Sequence, residues 1–163
     1  MELSKLFQMQ KALDQHIEEK HMLQNEDLFD RKVLALLVEI GELANETRCF
    51  KFWSVKPSSS KEVVLEEFVD GIHFILSLGI ECGFDQETYG LNVAEPMGNV
   101  TEQFLHTYES ISQFRKNKAF ADYVKLFESY LKLSSLLGFT NEDIEKAYFA
   151  KNEVNYQRQQ NNY

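Results

Sequence analysis

The chain has 163 residues, 44% of them hydrophobic, and 26 acids against 17 lysines and arginines give it a formal charge of −9. This is enough chain for one domain that holds its own core. A surface this acidic argues against binding the phosphate backbone of nucleic acid, which takes clustered cations, but leaves room for a small anionic ligand where something neutralises the local charge.

Hydrophobic periodicity predicts about six helices. The first covers about residues 3–21, with Leu6, Met9, Leu13 and Ile17 at three- and four-residue steps. The second covers about 26–49 and carries Val33, Leu34, Leu37, Val38, Ile40 and Leu43. Residues 51–61, with Trp53, Pro57 and three serines, read as a loop. The third helix, about 61–82, is apolar nearly all round and therefore belongs at the centre of a bundle. A connecting loop is expected over 83–98, then helices over about 99–116, 118–137 and 141–159. Gly138 fits a helix stop, and Thr140 with Asp143 fits an N-cap followed by an acid in the first turn. With 7 glycines and 2 prolines, turn residues are too few for an all-β chain. The expected architecture is a single all-α domain spanning 1–163, with a polar, frayed tail over 159–163.

Two cysteines, Cys49 and Cys82, make neither a disulfide framework nor a CxxC metal motif, which points to a reducing cytoplasm. The first residues show no secretory pattern. Glu39, Glu42, Asp70 and His73 interrupt the longest apolar stretches, so no membrane span is expected.

Those interruptions carry the chemistry. Glu39 and Glu42 are three residues apart, Glu46 follows four later, and Glu67 and Asp70 repeat the three-residue step with His73 beyond. On helices these spacings put the acids on one face. Carboxylates among strong apolar neighbours are costly to bury alone. They are either protonated or gathered around divalent cations, the alternative being a face turned to water. An all-oxygen ligand set suits magnesium or manganese. A di-iron bundle would want two Glu-x-x-His pairs, and only Glu18–His21 has that spacing. Magnesium is commonly shared with substrate phosphates, which suggests phosphate-chain chemistry. In the last helix Lys151, Asn155 and Arg158 recur on one face. They suit phosphate oxygens, or else form a solvated basic stripe.

The set in chain order is Gln10 with Leu13-Asp14, Glu39xxGlu42, Lys51-Phe52-Trp53, Glu67xxAsp70xxHis73-Phe74, and Lys151-Asn152xxAsn155xxArg158-Gln159. It resembles the dimeric dUTPases, members of the all-α nucleoside triphosphate pyrophosphatases related to MazG-like enzymes. The resemblance implies a homodimer hydrolysing dUTP, and dUDP, to dUMP with magnesium (or manganese as substitute), thereby limiting uracil in DNA. It implies metal ligation by Glu42, Glu67 and Asp70, with Glu39 preparing the attacking water and also reaching metal. It implies phosphate contacts from Lys151 and Arg158, a polar contact from Asn155, and a base pocket near Gln10, Asp14, Trp53, His73 and Phe74. Family members often carry asparagine at the position of Asp14, and an ionised aspartate offers only acceptors. Two other readings stay open: a MazG-like pyrophosphatase of dCTP or a modified nucleotide, and a helical partner-binding module without catalysis.

Overall fold

A computed structural model describes residues 1–87, 90–96 and 98–162. Among them the regular structure is helical: α1 (Leu3–Lys20), α2 (Phe29–Thr47), α3 (Lys61–Glu81), α4 (Val100–Asn117), α5 (Phe120–Leu137) and α6 (Asn141–Gln160), with one 3₁₀ turn at Phe84–Gln86. The predicted elements are all present. The second begins three residues later than expected, where Leu28 and Phe29 turn into the core. Within the expected 83–98 loop, Thr88, Tyr89 and Met97 lie outside the described residues, as does Tyr163 of the tail. The tail is shorter than expected, because α6 runs on to Gln160 and Gln159 Oε1 meets His21 Nε2 at 2.9 Å.

Local signals set the ends. Gly138 takes φ 76° at the close of α5, a left-handed conformation that costs glycine no Cβ clash. Two residues on, Thr140 and Asp143 form a reciprocal capping box at the start of α6, and Asn99 with Glu102 forms another at α4. Each cap satisfies otherwise orphaned N–H groups and contributes about 1 kcal/mol.

As its all-round apolarity predicts, α3 is the centre: it packs against α1, α2, α5 and α6, while α4 pairs with α5 and touches α2. Phe68, Val69, Ile72, Ile75, Leu76 and Leu78 are all at most 1% exposed. Two mid-helix glycines make this density possible. Tyr130 and Tyr123 of α5 lie where side chains at Gly71 and Gly79 would be. There Tyr130 Oη donates to the Phe68 carbonyl at 2.8 Å and Tyr123 Oη to that of Ile75 at 2.9 Å. Burying both rings is thereby reconciled with the need of each hydroxyl for a partner.

Candidate active site

α3 carries acids on the face it turns toward α2 and α6. Oxygens of Glu39 (α2), Glu67 and Asp70 (both α3) all lie within 4.8 Å of one another, each residue half-buried. Burial and the mutual repulsion of Asp70, Glu42 and Glu67 push the Glu39 carboxyl up to about 7. Burial also raises Glu67 and Asp70 above the ordinary carboxylate range. Three convergent carboxylates that resist losing their protons fit a hard divalent cation, which would relieve that repulsion. Glu42 is exposed and lies outside the close triad, although its charge is felt by Glu39 and Glu67. Glu46 is turned to the 48–60 loop, where Ser59 Oγ donates to its carboxylate.

α6 supplies the counter-charge. Lys151 is buried, and its Nζ lies 2.7 Å from Asp70 Oδ2 and 2.8 Å from Glu66 Oε1. Glu66 is a partner the motif spacing did not single out. It is the residue beside Glu67, on the α3 edge nearer α6, and the Lys151 ammonium holds its carboxyl low.

Next to the acids lies a cleft of about 300 Å³ lined by Gln10, Leu13, Asp14 and Ile17 of α1, Glu39 of α2, Asp70, His73, Phe74 and Ser77 of α3, and Asn155, Arg158 and Gln159 of α6. So α1, α2, α3 and α6 bring Gln10, Asp14, Glu39, Asp70, His73, Phe74, Asn155 and Arg158 to one cavity. Trp53 is not among its lining residues. It sits two-thirds exposed on the 48–60 loop, edge-on to Phe50 and Phe52.

The α1 wall is tightly wired. Gln10 is buried, and its Nε2 donates to Asp14 Oδ1 at 2.7 Å. Its Oε1 accepts from Tyr148 Oη at 2.8 Å and from His73 Nδ1 at 2.7 Å. Ser77 Oγ donates to Asp14 Oδ2 at 2.6 Å. Tyr148 stacks on His73 at 4.2 Å between centroids. Ser77 and Tyr148 were missed by motif spacing, yet Ser77 is four residues after His73 and Tyr148 three before Lys151, spacings that share a helix face. Glu18, near the end of α1, is half-buried and pairs with Lys32 at 3.4 Å.

An all-helical domain with a carboxylate cluster at one end of a cleft and cationic side chains from a neighbouring helix is an architecture of all-α nucleotide hydrolases. A family model described as dUTPase matches residues 2–163, and the chain belongs to that family. It is accordingly a dUTP diphosphatase. No curated protein matches the chain.

The acid triad gives metal-free protein a distinct pH response. The Glu39 carboxyl titrates near 7 when folded against an ordinary value of 4.5, so the folded state binds more protons between those values. Stability then falls as pH rises through that window and levels off above it. Glu39→Gln removes this contribution, so the wild type should lose stability relative to the variant from about pH 4.5 to about pH 7. Urea midpoints of both proteins in chelator check this; parallel pH curves would contradict it.

Proposed function

We propose that the protein hydrolyses dUTP, and dUDP, to dUMP with magnesium, manganese serving as a substitute, and so limits uracil incorporation into DNA. The observation that carries this is the close triad of Glu39, Glu67 and Asp70 beside a cleft faced by Arg158 and Asn155. Glu67 and Asp70 would hold the divalent ion, with Glu42 one turn along α2 from Glu39 joining them through a change of side-chain rotamer. A bound divalent ion supplies charge neutralisation of the phosphate chain and a more acidic water.

The chain's own side chains do the rest. Glu39, half-buried beside Glu67 and Asp70 and lining the cleft, is placed to take a proton from the attacking water. Lys151 and Arg158 set positive charge against the phosphates, and Asn155 gives a neutral polar contact. Lys151 reaches this task from its pair with Asp70 and Glu66. The base then lies toward Gln10, Asp14, His73 and Phe74, where Phe74 offers a face for stacking. Water displaces pyrophosphate from dUTP, leaving dUMP.

A nucleotide panel tests the assignment. Turnover of dUTP with magnesium should exceed that of dTTP, dCTP and UTP by at least about a hundredfold, the scale on which a fitted pocket discriminates a single added or altered group. Preference for dCTP or a modified nucleotide would replace it with the MazG-like reading, and no turnover of any nucleotide would favour a binding module.

A homodimer belongs to the same proposal. Leu34 and Val38 of α2 and Leu105 of α4 are 62%, 49% and 60% exposed, and Phe52, Trp53 and Val55 stand out on the adjoining loop. So many exposed apolar side chains favour a covered surface, and we assign a second copy as the cover. Trp53 enters the base-binding reading through this contact. Sedimentation should give twice the chain mass, and Leu34→Asp with Val38→Asp should give the monomer; a monomeric wild type at micromolar concentration would overturn it. No helix among the described residues is long and apolar enough to cross a membrane. With two free cysteines, the enzyme is proposed to work in the cytoplasm without membrane or nucleic-acid partners.

A further inference from the structure

We propose that Lys32, which lies outside the cleft, sets the hydrogen-bond polarity of its α1 wall, so that the wall presents an acceptor and selects a pyrimidine with a ring N–H over one with a ring lone pair. The proposal rests on the deoxyuridine reading for its choice of ligand, but not for its geometry.

An ionised aspartate can only accept. Both Asp14 oxygens are engaged, one by Gln10 Nε2 and one by Ser77 Oγ. That fixes the Gln10 amide, whose oxygen must face Tyr148 and His73. A carbonyl oxygen also only accepts, so the proton between Gln10 Oε1 and His73 lies on Nδ1. Burial, with a smaller push from Lys151, keeps the imidazole neutral, its pKa down to about 3. The lone pair is therefore on Nε2, which is buried with no hydrogen-bond partner among the described residues. A buried acceptor left unmade is costly, and a ligand N–H meeting it recovers that cost. The N3–H of uracil can do so; the N3 lone pair of cytosine is repelled.

Lys32 is the cation that favours Asp14 as a carboxylate, beside the hydrogen bond from Ser77. Burial raises the Asp14 pKa, against the pull of Ser77, Lys32 and Gln10. Lys32 Nζ lies 4.0 Å from Asp14 Oδ2, 3.4 Å from Glu18 and 2.7 Å from Glu81, one cation shared by three acids. Without it, three carboxylates face one another. Asp14, with its side chain 12% exposed against 26% and 25% for the others, is then the one to take up a proton. A protonated Asp14 is a donor, Gln10 is free to turn over, and the His73 proton is no longer fixed on Nδ1.

Two measurements on wild type, Lys32→Met, Lys32→Arg and Lys32→Gln test this. Long-range ¹H–¹⁵N correlation, without nucleotide, should give His73 as the Nδ1–H tautomer in wild type and Lys32→Arg, and a mixture in Lys32→Met. The ratio of kcat/KM for dUTP to that for dCTP should fall about tenfold in Lys32→Met, the worth of one hydrogen bond, and stay within about twofold in Lys32→Arg. A merely structural role lowers both substrates alike and leaves the ratio unchanged. Should Lys32→Met fail to fold, Lys32→Gln decides, because its neutral amide can still donate to Glu18 and Glu81. It should show the same mixed tautomer and relaxed ratio. An Nε2–H tautomer in wild type, or an unchanged tautomer and ratio in Lys32→Met or Lys32→Gln, overturns the proposal. The tautomer arm needs no substrate, so its outcome is separate from that of the dUTP assignment.

Discussion

Glu39→Gln is expected to lower kcat for dUTP hydrolysis by about 10²–10⁴-fold, the usual worth of a positioned general base. The substitution keeps the size and a hydrogen-bonding oxygen, so the α2 face stays filled. It removes the carboxylate proposed to take the proton from the attacking water. It also removes one of three mutually repelling charges. The metal-free variant should therefore melt at or above the wild-type temperature at pH 8 while losing turnover. A parallel loss of stability and activity would mean that Glu39 is structural, and unchanged kcat would mean that another group prepares the water.

The second large effect is on the fold. Gly71→Ala would ordinarily stabilise a helix by about 1 kcal/mol. Here the added methyl meets the Tyr130 hydroxyl, with Cζ only 2.6 Å away. Tyr130 cannot move aside easily, since it is fully buried, stacked on Phe68 at 4.6 Å between centroids, and bonded to the Phe68 carbonyl. Overpacking outweighs propensity, and Gly71→Ala should destabilise by about 1–3 kcal/mol in urea denaturation. Gly41→Ala is the control. Its new Cβ would lie 3.4 Å from the Tyr108 hydroxyl, and its effect should stay within about 1 kcal/mol. Equal effects at the two sites would contradict this account of the α3–α5 contact.

Much of the fold was legible because it rests on local signals. Period, the Gly138 stop and the Thr140–Asp143 cap are all properties of neighbouring residues, and each appears where expected. The central place of α3 followed from apolarity on every face. Acids on α2 and α3 were legible as same-face spacings, and Glu39, Glu67 and Asp70 do converge. The departures are contacts that no single helix encodes. Trp53 lies on a loop whose direction is set by Arg48 and Glu46 holding Ser54, Lys56 and Ser59, and it does not line the cleft. Gln10 carries the signature of an exposed residue, yet Asp14, His73 and Tyr148 from three helices satisfy it inside. Glycines at 71 and 79 look like poor helix residues until the tyrosines of α5 are placed over them.

The central claim is that the acid triad and its cleft carry out magnesium-dependent cleavage of dUTP. The most direct measurement is anion-exchange quantification of dUMP formed from dUTP by the purified protein, with magnesium and with excess chelator, for the wild type beside Glu39→Gln. Stoichiometric dUMP and pyrophosphate from the wild type with magnesium, loss of both in chelator, and a rate about 10²–10⁴-fold lower in the variant are the predicted result. No dUMP from folded wild type in magnesium, or equal rates for the two proteins, would contradict it.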